Sequence, residues 1–239
     1  MKIKVQLFLT FLLIATVLAI IHDDGCDCDL CTQIEEELHD TENHEDHEIE
    51  HHENVLEDPA PLECKDDFIK FTRPQGDWCM RVFATTGNVI TEPAAQEECK
   101  KYGAVVSGVQ NQAEVTWIFD QALPKIRAMG KEFGTTWVGL KRKDVCNTKD
   151  HSWKTLPDCT PIQTNSFVWT DNFTTGWDGV RWDRNKPDHA RFRQDCAYIY
   201  INVKGPRRGK LVDDYSCTIN EAAADTFRPF TYVCGKKPQ

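Results

Sequence analysis

Histidines, cysteines and an uneven spread of charge are where this chain could do chemistry. Five of its eight histidines, His39, His44, His47, His51 and His52, stand among acidic residues in one short stretch. Imidazole with carboxylate suits zinc or copper. The plainer alternative is a solvated acidic tail, and a metal-sequestering arm is kept beside it. Cys26, Cys28 and Cys31 offer three thiols, one short of the four of a structural zinc site. Interchain disulfides, making a dimer or larger assembly, suit them better. Residues 181–210 hold nine lysines and arginines against three aspartates: Arg181, Arg184, Lys186, Arg191, Arg193, Lys204, Arg207, Arg208 and Lys210 face Asp183, Asp188 and Asp195. Arginine forks match sulfate and carboxylate, so such a rim favours anionic partners. An ordinary solvated surface, or a face for the chain's own acidic arm, are the other readings. Asn172-Phe173-Thr174 is a glycosylation acceptor.

Compartment follows from the N-terminus. Lys2 and Lys4 precede an apolar run from Val5 to Ile21, with small Ala19 near its end. That pattern is a secretory signal, residues 1–19, cleaved near Ala19. The rival, an uncleaved anchor, fits less well, because Gln6, Thr10 and Thr16 interrupt a run short of the roughly 20 apolar residues of a spanning helix. In both readings the rest of the chain faces the exterior. Eleven cysteines in an exported chain mean disulfides. The expected location is secreted and extracellular, with no membrane span after cleavage and no nucleic-acid partner.

The net charge of −10 hides a split. Residues 22–63 carry seventeen acidic residues and no lysine or arginine. Such a block cannot bury enough apolar surface to fold alone. Residues 20–63 are therefore an acidic, His-rich arm ending in the linker Asp58-Pro59-Ala60-Pro61. Residues 64–239 form one domain of ordinary size.

Two helices are legible within it. Thr91 caps the first, with Pro93 in its first turn and Gly103 at its end; Ala95, Cys99 and Tyr102 share a face. Asn111 with Glu114 makes a capping box for the second. Val115, Ile118, Phe119 and Ala122 form its buried stripe, and Pro124 stops it. Short apolar runs follow at Trp137–Leu140, Phe167–Trp169, Ala197–Val203 and Phe230–Val233, separated by loops rich in Asp, Asn, Gly and Pro. The fold class expected is α+β with antiparallel sheets. The stretch from Leu140 to Cys196 has little regular pattern, and a loop so long inside a domain is usually functional. Trp177 and Trp182 lie in it, as core or loop packing or as rings on which a sugar could stack.

Catalysis is not expected. His151 and His189 are the only histidines of residues 64–239, neither near a nucleophile motif. That domain holds no Gly-x-Ser-x-Gly, no His-Glu-x-x-His and no Gly-rich phosphate loop.

The order of these features resembles the C-type lectin-like domain in its long form with an N-terminal hairpin, similar to the secreted versions numerous in nematodes. The residues that carry the resemblance are Cys64, Cys79, Cys99, Trp-Val-Gly-Leu from Trp137, the Trp-rich long loop, Lys186-Pro187-Asp188, Cys196, Val212-Asp213-Asp214, Cys217 and Cys234. It covers residues 64–239. The family pattern implies the pairs Cys64–Cys79, Cys99–Cys234 and Cys196–Cys217, leaving Cys146 and Cys159 to pair with each other. Each closure of a loop of tens of residues contributes roughly 3–4 kcal/mol in the chain-entropy model.

The resemblance also implies a ligand site. In the lectins of this family, calcium is held by the residues flanking the loop proline, by an acid two residues before one cysteine and by an Asn-Asp pair three residues before the next. The same ligands then take sugar hydroxyls. Carried over, the positions are Lys186, Asp188, Gln194, Asp213 and Asp214. Calcium wants six to eight oxygens, and Lys186 supplies none. An ammonium about 4 Å from a divalent ion is repelled by roughly 8 kcal/mol at an effective dielectric near 20. Calcium on Asp188, Gln194, Asp213 and Asp214 would require Lys186 to swing away. The expected alternative is that the ammonium itself neutralises Asp188, Asp213 or Asp214. A solvated turn before Cys217 is a second reading of Asp213 and Asp214. The resemblance thus implies a glycan-binding extracellular protein, with immune recognition as a family role. Calcium-free recognition of proteins or anionic ligands through the basic rim is the alternative.

Overall fold

The computed structural model describes residues 62–205, 209–218 and 228–239. The signal at 1–19, the arm up to residue 61 with Cys26, Cys28, Cys31 and its histidines, and Arg207 with Arg208 lie outside the described residues.

A hairpin begins the fold. β1 (Ile69–Arg73) turns through Pro74 and Gln75 into β2 (Gly76–Ala84). α1 (Glu92–Lys100) and the short β3 (Val105–Val106) follow, then α2 (Gln112–Ala128) and β4 (Phe133–Arg142). A long loop region with short helical turns, including α3 (Ile162–Asn165), carries β5 (Phe167–Trp169). β6 (Cys196–Asn202), β7 (Val212–Tyr215) and β8 (Pro229–Lys236) complete one sheet. Its path is β1-β2-β8-β4-β6-β7, with β3 joined to β8 and β5 to β4. The pairing is antiparallel, as expected, except between β4 and β8, which run parallel. β8 enters late between two strands laid down early, and such a separation in sequence is what a parallel neighbour requires. The chain ends of the domain meet: the Glu63 and Gln239 main chains exchange hydrogen bonds of 3.2 and 3.0 Å.

Both faces of the central strands are buried. Trp137 packs with Tyr198, Tyr200 and Tyr232 on the α1 side, and Val138 and Leu140 pack with Ile118, Ile126 and Ile199 on the α2 side. The Trp-Val-Gly-Leu run is explained by this. The Trp137 indole N–H donates to the Ile90 carbonyl at 2.8 Å. A Cβ at Gly139 would stand 2.3 Å from the Val106 carbonyl oxygen, so only glycine fits there.

The helices depart from expectation in three details. Pro124 lies inside α2, which runs on to Ala128. A mid-helix proline costs about 3 kcal/mol. Pro124 is exposed while Ile126, one half-turn on, is fully buried, and burying such a side chain contributes about 1.5–3 kcal/mol. Packing of the last turn therefore offsets most of the break. The capping box is half made: the Asn111 side chain accepts the Glu114 N–H at 3.0 Å, but Glu114 accepts the N–H of Gln110 and two bonds of 2.8 Å from buried Arg73. Tyr102 lies past the end of α1, against Phe68 and Phe83, not on the inner face with Ala95 and Cys99.

Four disulfides join Cys64–Cys79, Cys99–Cys234, Cys146–Cys159 and Cys196–Cys217, the pairs implied above. Cys146–Cys159 ties the loop region to itself, and Cys196–Cys217 ties the start of β6 to the end of β7.

Candidate functional site

The site forms where the loop after β5 is laid along β7. The Asp183 N–H donates to the Val212 carbonyl at 2.9 Å, and the Lys186 N–H donates to the Asp183 carbonyl at 3.0 Å. Asn185 takes a left-handed backbone, φ +62, and the Lys186–Pro187 peptide is cis. The Lys186 ammonium lies inward, against two acids. Its Nζ stands 3.1 Å from Asp188 Oδ2 and 3.0 Å from Asp213 Oδ1. Burial works against its charge, but Asp213 and Asp188 outweigh burial and hold it above the ordinary lysine value.

Asp213 and Asp214 are not in a solvated turn. They are strand residues of β7, 4% and 0% exposed. Burial pushes the Asp213 carboxyl up to about 7, although the Tyr200 hydroxyl, which donates to it, and Lys186 both hold it down. Asp214 is raised by burial too, against the pull of Arg142 and of two main-chain N–H groups.

Asp214 has a partner that the motif did not reveal. Arg142 is the last residue of β4, with a fully buried guanidinium. Its Nη2 lies 2.7 Å from Asp214 Oδ2 and its Nε donates to the Gln194 carbonyl at 3.1 Å. The guanidinium carbon lies 4.5 Å from the Trp153 ring centre and 4.7 Å from that of Phe167. Burial lowers its pKa, countered first by Asp214 and then by Asp195. The two oxygens of Asp214 also accept the N–H groups of Asp188 at 2.9 Å and His189 at 2.7 Å. Asp214 thus pins the loop that carries Lys186.

Gln194 faces the same loop. Its Oε1 accepts the Ala190 N–H at 2.9 Å. His189, Arg191 and Phe192 take left-handed backbone around it, each a costly conformation for a residue with a side chain, so the bonds from Asp214 and Gln194 hold a loop that would not hold itself. The His189 ring is buried between Trp153 and Phe192, its Nδ1 3.1 Å from the Gln194 carbonyl. Burial and then Arg142 depress its pKa.

Lys186, Asp188 and Asp213 therefore meet directly, with Asp214 one layer beneath. Gln194 belongs to the scaffold. Calcium does not fit this arrangement. Asp188 and Asp213 share an ammonium, Asp214 spends its oxygens on Arg142 and two amides, and Gln194 spends its Oε1 on an amide. Two fixed cations already serve the acidic groups whose oxygens a divalent ion would need. Among the described residues no group of three or more His, Cys, Asp or Glu is arranged to hold a metal.

The basic segment does not form one surface. Arg181, Arg184, Arg191 and Arg193 are exposed on the loop before β6. Lys204 pairs with Glu132, and Lys210 donates to Thr116 of α2 at 3.3 Å. These lie beyond the other end of β6, roughly 20 Å along a strand of that length. Trp177 stacks on Trp169, while Trp182 leans on Phe167 and donates to the Gln163 carbonyl at 2.9 Å; both are half-buried. Asn172 is exposed.

Arg142, Tyr200, His189 and Trp153 were not found from the sequence. Arg142 left one trace: Leu140 points in and Lys141 out, so strand alternation places Arg142 inward.

Residues 70–237 match the family described as C-type lectin domain-containing protein 141/158. Solved structures with similar chains include the C-type carbohydrate-recognition domain of cow CD23, crystallised in the presence of a GlcNAc2Man3 oligosaccharide, at 13% identity and a TM-score of 0.47, covering 75% of this chain and 99% of that one. The C-type lectin CEL-I of Cucumaria echinata is 22% identical, with a TM-score of 0.45 and coverage of 74% and 99%. A calcium-independent type II antifreeze protein is 18% identical, with a TM-score of 0.46 and coverage of 76% and 100%. No curated protein matches the chain. With the family match spanning most of the domain, the chain belongs to the C-type lectin domain-containing protein 141/158 family.

Proposed function

We propose that this protein is a secreted binding module that recognises carbohydrate through the loop face around Lys186, without calcium. One observation carries the reading: a lysine ammonium sits between Asp188 and Asp213, with Arg142 on Asp214, at the positions where the family pattern puts the ion. Asp188 stays 40% exposed there, so its carboxylate can accept hydroxyl hydrogen bonds. The ammonium orients it as a metal would. No catalytic role is part of this proposal. The module's buried histidine is committed to a main-chain carbonyl, and its domain cysteines are in disulfides.

Export rests on the N-terminal signal pattern and the disulfide-rich domain, and no helix among the described residues is long and apolar enough to cross a membrane. Chain linkage through Cys26, Cys28 and Cys31 would add avidity to weak sites. Asn172, exposed on its loop, is the proposed glycan carrier.

The test is a glycan array read in calcium and again in chelator. Equal binding in both supports the reading. Silence in both overturns it, and binding only in calcium overturns its calcium-free part. A second reading, recognition of an anionic or protein partner, is favoured by exposed Arg181, Arg184 and Arg193 on the same loop. Charge reversal at these three would abolish such binding and leave neutral glycan binding in place.

A further inference from the structure

Segments of the loop region, with Lys186 and Asp188 among them, line an open cleft of about 620 Å³, inside the range of about 300–1,000 Å³ found for ligand pockets. Trp182, Ile162 and Val180 make its apolar wall. That wall is fixed, because the Trp182 indole N–H donates to the Gln163 carbonyl at 2.9 Å and the ring rests 5.1 Å from that of Phe167. The polar wall includes Asn185, Asp188 and Lys154. Lys154 is exposed, and it pairs with no carboxylate among the described residues; its Nζ lies 5.7 Å from the Trp153 ring. Cys146–Cys159 closes the loop that carries it.

The lining selects among ligands. The indole and its aliphatic neighbours want a face of C–H groups. Asp188, already held by Lys186 and 40% exposed, and the Asn185 side-chain carbonyl each have an open side that accepts hydroxyl hydrogen bonds. Lys154 wants an anion. An aliphatic acid would bring no hydroxyls to the open sides of Asp188 and Asn185. A neutral sugar would leave Lys154 unused. A polyamine would meet two ammonium groups. We propose that this cleft binds an acidic saccharide residue, a pyranose bearing carboxylate or sulfate. Its C–H face lies on Trp182, its hydroxyls on Asp188 and Asn185, and its anionic group on Lys154. The inference rests on the carbohydrate reading and adds the class of sugar and a contact surface beyond Lys186.

The test is titration calorimetry of the whole secreted chain in chelator with three probes: a glucuronate-terminated disaccharide, a sulfated disaccharide and their neutral counterpart. An anionic probe is expected to bind about tenfold tighter than the neutral one, the scale of one charge-assisted hydrogen bond. Whichever of the two is preferred identifies the anion. Lys154→Gln should bring the probes to equal affinity and Lys154→Arg should keep the preference; both changes are at an exposed position, so the fold is not at stake. Trp182→Leu should weaken all three. Equal affinities in the unsubstituted chain, or a preference that survives Lys154→Gln, overturns the inference while leaving carbohydrate recognition standing. If no saccharide binds, neutral or charged, the carbohydrate reading falls and the inference with it.

Discussion

Arg142 and Asp214 form an ion pair 2.7 Å long in which both side chains are wholly buried. The pair joins the end of β4 to β7, and through Asp214 it reaches the main chain of Asp188 and His189. Removing one member strands the other. Arg142→Met should lower the unfolding free energy by about 3–5 kcal/mol, the usual cost of breaking a buried pair. Arg142→Met with Asp214→Asn should recover a large part of it, since no buried charge is then left alone. Urea unfolding of the two variants checks this. A single variant within 1 kcal/mol of the parent (about the worth of an exposed pair) would mean that water reaches the site and the pair is not the hub described.

Calcium should have no effect on the domain as it stands. Its melting temperature is expected to be equal in millimolar calcium and in chelator. Lys186→Glu removes the ammonium and adds an acid beside Asp188 and Asp213. That variant should be destabilised in chelator and regain stability with calcium, by the amount that binding to the folded state supplies. Differential scanning calorimetry separates the cases. A calcium-dependent rise in the unsubstituted chain would show that Lys186 moves aside.

Asp213 makes stability depend on pH in an unusual direction. Folded, its carboxyl keeps the proton up to about 7, whereas the unfolded group loses it near 3.8. Between those values folding takes up a proton, so the contribution of this group is full below 3.8 and lost as pH rises through about 7. His189, depressed in the fold, opposes it, its contribution growing as pH rises towards 6.5. The clean observable is therefore a difference. Asp213→Asn, neutral throughout, should gain on the parent steadily from pH 4 to pH 7 in unfolding midpoint. A constant difference across that range would show that Asp213 titrates normally.

The architecture was legible because its signals are local or covalent. Thr91 and Asn111 cap helices by their own side chains, and the family that the cysteine order resembles implies which strands are tied. Apolar runs mark the strands that both helices cover. What was not legible is decided by packing between distant segments. Pro124 stays in a helix because Ile126 is held by a core that the local sequence does not describe. The parallel meeting of β4 and β8 depends on where the last strand finds room. At the site, Lys186 could be placed near the acids from the family resemblance. Arg142 could not, because it comes from a strand far back in the chain and announces itself only by being charged at an inward position. Tyr200 and Trp153 are likewise brought in by the fold.

Trp153 also offers a test of what the loop disulfide does. Cys146–Cys159, with a separation of 13 residues, closes a segment of few regular elements, and Trp153 at its middle is fully buried over the Arg142 guanidinium. Replacing both cysteines by serine should cost about 3 kcal/mol, as a loop of that size predicts. The sheet should survive, because the other three bridges and both helices do not pass through this loop. Trp153 should not stay covered. Its emission is expected to shift to the red while the far-ultraviolet circular dichroism holds, and Trp153→Phe in the same background should remove the shift. If emission and unfolding midpoint both match the parent, the loop is held by its contacts with Arg142 and Phe192 and the disulfide is redundant. If the far-ultraviolet signal collapses as well, the loop is part of the folding core and not an appendage carried by the sheet.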